Sequence, residues 1–133
     1  MPSRTALYPI INNAIGNHLS VATARKSFFI NEVNKDLKVF AERMVLQQVI
    51  DHLLKAVVRF TKNDCIRVAA TISDNSIVLT LRENRLRSYF EMEETTQLLH
   101  SLANKIGGCI TVNSNDGTGS YIALSFYHEV NVA

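Results

Sequence analysis

Three segments of the chain place apolar residues at the three- and four-residue spacing of an amphipathic helix. These segments are residues about 5–25, about 42–61 and about 93–106. The middle segment has the most regular pattern, because apolar side chains recur from Val45 to Phe60 as a wide stripe. The pattern predicts three helices, the second of which is buried along a broad face.

Five further segments are predicted to be strands, and all but the first alternate apolar and polar residues with the period of two of a half-buried strand. They are residues about 28–33, 65–72, 76–82, 109–113 and 119–127. Asp74-Asn75 is typical of a tight turn, which makes the second and third of these strands a hairpin. Gly107 and Gly108 can adopt the left-handed conformation that ends a helix.

The order of these elements is helix, strand, helix, two strands, helix and two strands. This order predicts an α/β two-layer sandwich, in which about three helices cover one face of a mixed, mostly antiparallel sheet. The sequence shows no internal repeat, low-complexity tract or linker. Residues 1–133 are therefore predicted to form a single domain.

Composition and charge exclude several classes of protein. The apolar content of 47% and the charged content of 20% are ordinary for a soluble globular protein. No apolar run is long enough to span a bilayer, and Asn12, Asn13 and Asn17 interrupt the stretch that a signal peptide would need, so a cytoplasmic location is expected. A net charge of +2 does not indicate a nucleic-acid partner. Cys65 and Cys109 lie in predicted strands, where two buried thiols are expected.

Two parts of the sequence resemble a known family. From Gly107 to Phe126 the chain reads as a helix end, a strand, a glycine turn and a second strand. The second helix contains Leu53-Leu54 and ends in Arg59-Phe60-Thr61. Both parts resemble the histidine-kinase-like ATPase domain of the GHKL, or Bergerat-fold, family. The resemblance covers nearly the whole chain and implies that family's fold, with ATP and magnesium as its usual ligands.

The second helix departs from the family pattern at the positions that bind nucleotide. The family has two asparagines where this chain has His52 and Ala56, and Arg59 stands where lysine is common. The second asparagine ligates the magnesium that bridges the phosphates, and alanine has no oxygen to offer a hard cation. The resemblance therefore implies vestigial nucleotide-site positions here, with no metal site and no catalytic residue.

The adenine-binding motif of the family, Asp-x-Gly-x-Gly, is also altered. Glu83 stands at the position of the aspartate that accepts a hydrogen bond from adenine, and Arg85 and Arg87 replace the two glycines. Long cationic side chains do not suit positions where the backbone must approach the base. We expect Arg85, Arg87, His52 and the helix end at Glu93 to occupy the volume that the family leaves for nucleotide.

The phosphate-binding loop has changed in charge. Glu93 and Thr95 lie where the family has a Gly-Leu-Gly-Leu loop, and Glu93-Glu94 would repel a triphosphate. Only about ten residues separate Glu83 from Glu93, so the family's long lid is expected to be shortened. The remaining vestigial positions lie in the closing hairpin, where the glycines are expected to serve shape: Gly117, Gly119 and Ser120.

A retained framework with changed site residues predicts a degenerate, pseudo-ATPase domain. We expect a non-catalytic regulatory or protein-binding module in bacterial two-component-type signalling, with a kinase, a receiver or a second copy as partner. No cofactor is expected unless the altered site still holds ATP and magnesium. One alternative is a nucleotide-binding ATPase or kinase domain with an altered ATP site that uses Glu83. Another is phosphotransfer through His18, although Leu19 follows it where the kinases usually have an acidic residue.

Overall fold

The computed structural model describes residues 3–73, 76–83, 100–101, 103–115 and 119–127. In chain order the elements are β1 (Ser3–Ala6), α1 (Leu7–Asn17), α2 (Leu19–Ala24), β2 (Phe28–Asn31), β3 (Lys38–Ala41), α3 (Arg43–Phe60), β4 (Cys65–Ser73), β5 (Ser76–Glu83), β6 (Gly108–Asn115) and β7 (Gly119–Tyr127). Residues 100–101 and 103–104 are also helical.

The main sheet has five strands in the order β2-β4-β5-β7-β6. Strand β2 runs parallel to β4, whereas the other three neighbouring pairs are antiparallel. Strands β1 and β3 form a separate two-stranded antiparallel sheet. The predicted fold class, an α/β sandwich with a mixed, mostly antiparallel sheet, is confirmed.

The register of the main sheet separates a buried face from an open one. Val68 pairs with Leu81, which pairs with Ile122, and all three side chains are buried in the core that the helices cover. One residue earlier, Arg67 pairs with Arg82, and both side chains are exposed. Because successive side chains of a strand point to opposite faces, the helices cover one face and the other, here called the outer face, lies away from them.

Helix α3 is the central element of the core. Glu42 caps it, since its carboxylate accepts hydrogen bonds from the backbone N–H of Met44 at 3.3 Å and of Val45 at 2.9 Å. The helix runs from Arg43 to Phe60, and the predicted range was about 42–61. Its buried apolar side chains are Leu46, Val49, Ile50, Leu53, Leu54, Ala56, Val57 and Val58.

The prediction of one continuous helix over residues about 5–25 is wrong. The segment starts as strand β1, and the helix breaks at His18, whose φ of −115° and ψ of 12° are not helical. Leu7 in α1 and Ala22 in α2 are both buried, so the apolar spacing continues across the break and hides it. Strand β3 was also not predicted.

The expectation of two buried thiols is wrong for Cys109, which is exposed in β6, while Cys65 in β4 is half-buried. Both cysteines are free. Strands β5 and β7 separate them in the sheet, and at a spacing of about 4.8 Å per strand they are too far apart for a disulfide. Burial raises the pKa of the Cys65 thiol.

Gly107 ends the helical residues before β6. Its φ is +70°, and its N–H donates to the carbonyl of Asn104 at 3.1 Å, as expected for a glycine that closes a helix. The predicted Asp74-Asn75 turn and residues 93–99 of the predicted third helix lie outside the described residues. Across the ranges that the structure describes, no helix has the length and apolar character to cross a membrane.

Candidate functional site

The structure describes part of the predicted vestigial nucleotide site. Side chains are described at His52, Ala56, Arg59 and Glu83, and the backbone at Gly119 and Ser120. The other predicted positions lie outside the described residues: Arg85, Arg87, Glu93, Thr95 and Gly117.

His52, Ala56 and Arg59 follow one another along a single side of α3, one helical turn apart. His52 is half-buried and Arg59 is exposed, but Ala56 between them is only 2% exposed. The position where the resemblance implies a magnesium ligand therefore holds a methyl group that solvent does not reach.

Magnesium does not fit these residues. The ion takes oxygen ligands in near-octahedral geometry and gives up its water reluctantly, whereas Ala56 offers neither an oxygen nor space for a hydrated ion. In the described part of the chain, no three His, Cys, Asp or Glu side chains are grouped so that they could hold a metal ion.

Glu83, at the predicted adenine-binding position, points into the protein. It is the last residue of β5 and is 6% exposed. Its Oε2 accepts a hydrogen bond from the hydroxyl of Thr61, the residue that caps the C-terminal end of α3. The same hydroxyl lies 2.8 Å from the carbonyl oxygen of Val57. The carboxylate that would accept from adenine is thus engaged with the end of the neighbouring helix.

Strand pairing brings distant site positions together. Glu83 pairs with Ser120 across β5 and β7, and Gly119 pairs with Asn115 across β7 and β6. The structure therefore places the end of α3, the end of β5 and the start of β7 at one edge of the molecule.

Thr61 contributes more to this region than the sequence indicated. The motif identified it only as a framework residue, yet it is 2% exposed and also accepts a hydrogen bond from Arg25 Nε at 2.7 Å through its carbonyl. The sequence signal available was a hydroxyl residue at the end of a long apolar helix, which predicts a cap but not its partners.

His18 lies between α1 and α2 and faces α3. Its Nε2 is 3.1 Å from Asp51 Oδ1, and Asn17 donates to the same oxygen at 3.2 Å. The His18 side chain is only 12% exposed. One ring nitrogen is therefore engaged and the ring is largely shielded, a geometry typical of a structural histidine that ties two helices together.

Comparison with known proteins identifies the fold. No family model matches the chain, and no curated protein matches it. Among solved structures, the histidine kinase AdeS of Acinetobacter baumannii matches with a TM-score of 0.80 and 11% identity, over 97% of this chain and 68% of AdeS. The catalytic domain of histidine kinase ThkA, in a nucleotide-free form, matches with a TM-score of 0.79 and 13% identity, over 96% of this chain and 97% of that domain.

A third structure is histidine kinase ThkA in complex with the response regulator protein TrrA. It matches with a TM-score of 0.71 and 14% identity, over 96% of this chain and 42% of that chain. Taken together, these similarities show that the chain has the fold of histidine kinase catalytic domains. The predicted resemblance to the histidine-kinase-like ATPase fold is confirmed.

Proposed function

We propose that this chain is a degenerate histidine-kinase-like ATPase domain that acts in the cytoplasm as a non-catalytic regulatory or protein-binding module in two-component-type signalling. The observation that carries the proposal is Ala56. A buried methyl group stands where the fold's nucleotide helix would need an oxygen ligand for magnesium. Without that ligand, the charge of the phosphates has no metal to neutralise it at this position.

The environment of Glu83 supports the same proposal. Its side chain is 6% exposed and its Oε2 accepts from Thr61 inside the protein, so the carboxylate is turned to the end of α3 and away from solvent. The altered residues at positions 85, 87 and 93 add long cations and a carboxylate to a site that needs glycines. All of these changes act in the direction of losing ATP turnover.

We expect a protein partner, because the proposed domain keeps the fold of these kinases but does not turn over ATP. The structurally similar kinase ThkA is in complex with a response regulator protein. A domain of this fold without ATP chemistry can still act through such contacts, and a kinase, a receiver or a second copy of this chain are the candidate partners.

Nucleotide titration tests the proposal. A ligand that binds only the folded state raises the melting temperature in proportion to the logarithm of its concentration above Kd. We expect no change in melting temperature with millimolar ATP or ADP, with or without magnesium. The positive control is ShkA, a protein of similar structure that is in complex with AMPPNP. A melting temperature that rises with nucleotide concentration would contradict the proposal. Loss of that rise in Glu83→Ala would then favour the nucleotide-binding alternative.

The phosphotransfer alternative has a separate signature. It requires an acid-labile phosphoryl label on His18 that is absent in His18→Ala. The contact of His18 Nε2 with Asp51 and the low exposure of the ring do not favour it.

A further inference from the structure

The turns that follow α2 and α3 meet at one corner of the molecule. The N–H of Asn63 donates to the carbonyl of Arg25 at 3.0 Å, and the N–H of Phe28 donates to the carbonyl of Asp64 at 3.2 Å. Arg25 Nε also donates to the Thr61 carbonyl at 2.7 Å. These three bonds hold the turns at residues 25–28 and 61–64 together, and we call this region the basic corner.

The charge that the basic corner presents to solvent is positive. Lys26 and Lys62 are exposed and Arg25 is half-buried. The carboxylate of the corner belongs to Asp64, which is 8% exposed and accepts from the N–H of Cys65 at 2.7 Å. Lys26 and Lys62 are therefore exposed to solvent, while the acidic group faces the backbone.

An apolar side chain stands beside these cations. Phe28 is 54% exposed although it begins strand β2. By its pairing with Cys65 it lies on the outer face of the sheet, away from the core. Exposed aromatic rings are enriched at protein interfaces, and the two exposed lysines would favour a partner of opposite charge.

Lys26 adopts a backbone conformation that suits glycine. Its φ is +55°, and it ends α2 in a Schellman arrangement, in which the N–H of Ser27 donates to the carbonyl of Ala22 at 2.9 Å and that of Lys26 to Thr23 at 3.0 Å. Glycine would take this conformation without a Cβ penalty. The lysine side chain therefore costs stability at this position without improving the turn, which argues that its charge has another use.

We propose that the basic corner binds an acidic segment of a protein partner, with Lys26 and Lys62 against carboxylates and Phe28 against an apolar side chain of that segment. The proposal rests on the proposed protein-binding function and names the chemistry of the partner. A protein segment fits better than a membrane surface, because polybasic membrane sites use clusters of about four to eight cations and the corner has three. The hydrogen bonds between the two turns fix the backbone from which Lys26 and Lys62 project.

The test is a titration of the ¹⁵N-labelled chain, followed by amide chemical shifts. The probe is a synthetic peptide of about a dozen residues, rich in Glu and Asp with one central Leu. The control peptide carries Gln and Asn instead. We expect the shifts to concentrate at Lys26, Phe28, Lys62 and Asn63, to weaken as salt rises from about 50 to 300 mM, and to be absent with the control peptide.

Two variants make the proposal falsifiable. We expect Lys26→Gly to raise the melting temperature, because glycine removes the backbone strain at positive φ. We also expect it to weaken peptide binding about two- to fivefold, because the charge of the lysine is lost. Lys62→Gln should weaken binding by a similar factor, and Lys55→Gln, on the exposed side of α3, should leave it unchanged. A higher melting temperature with unchanged affinity for the peptide would overturn the proposal.

The remaining outcomes are equally decisive. Peptide shifts at another surface, or binding to phosphatidylglycerol vesicles without binding to the peptide, would overturn the basic corner as an acidic-protein site. Nucleotide added to the same labelled sample tests the proposed function separately, since it would shift amides around His52 and Thr61. An absence of both responses overturns the corner alone and leaves the pseudo-ATPase proposal standing.

Discussion

Two sets of positions on helix α3 differ in whether they match the sequence pattern of the resembling family. Leu53 and Leu54 match the pattern of the resembling family and are fully buried, whereas His52 and Ala56 stand where that pattern has asparagines. Each residue turns about 100° from the last, so the two sets point in different directions around one helix, although Ala56 is buried like the two leucines. The chain therefore has this fold with a histidine and an alanine at the two positions where the family pattern has asparagine.

The largest expected effect comes from the packing side of this comparison. Leu53→Ala removes a side chain with 0% exposure from the centre of the core and leaves a cavity, so we expect the free energy of unfolding to fall by about 2–5 kcal/mol. Urea unfolding followed by circular dichroism measures it. The neighbouring His52→Ala is the control, with an expected loss under about 1 kcal/mol. Equal losses in the two variants would mean that the two sets of positions do not differ in their contribution to stability.

A second substitution places asparagine at position 56, where the resembling family has its magnesium ligand. Ala56→Asn places an amide where the side chain is 2% exposed, and we expect a loss of about 2 kcal/mol in the free energy of unfolding, from overpacking and a buried polar group. We also expect no magnesium-dependent nucleotide binding in a thermal-shift titration.

Lys55→Asn is the control for Ala56→Asn, because Lys55 is the exposed neighbour of Ala56. It should lower the free energy of unfolding by only about 0.7 kcal/mol, through helix propensity. If Ala56→Asn gained magnesium-dependent ATP binding, the rest of the site would still be competent, and the loss of function would rest on a single residue.

The smallest expected effect concerns the hydrogen bond between Thr61, at the end of α3, and Glu83, at the end of β5. Thr61→Val keeps the shape of the side chain but leaves the buried Glu83 carboxylate without this donor, and we expect a loss of about 1–2 kcal/mol. Thr71→Val, on the exposed outer face, is the matched control, with a change within about 0.5 kcal/mol. No difference between the two threonines would mean that the contact does not stabilise the end of α3.

The regular parts of the fold were predictable because their patterns are long. Eighteen residues of α3 repeat one apolar period, and the strands β4 and β5 each alternate over eight or nine residues. Strand β3 has only four residues, Lys38–Ala41, in which buried Val39 and Ala41 alternate with exposed neighbours. A pattern that short does not stand out from a loop.

The break at His18 was not predictable from apolar spacing, because both α1 and α2 bury residues in the same core. Gly16 and Asn17 lie just before the break and are the local signal for it, because both residue types are poor helix formers. A signal did exist for the start of α1, since Pro9 lies in its first turn, where proline is tolerated. That signal favours a helix start near Leu7, after strand β1.

The contacts of the candidate site residues were not predictable from the sequence. The resemblance located Glu83, but the structure alone places its carboxylate against Thr61, 22 residues away along the chain. That contact depends on where β5 ends relative to α3, and no local pattern reports such a distance.

The strand order has a consequence for how the chain folds. The β4–β5 and β6–β7 pairs each join strands that are adjacent in sequence, whereas the parallel β2–β4 pair closes a loop that contains β3 and all of α3. Closing a long loop costs entropy before its contacts form, so we expect the two hairpins to form early and the β2 edge to dock late. The basic corner, which lies between β2 and the end of α3, would then be among the last surfaces to assemble, and only a completely folded chain would present it to a partner.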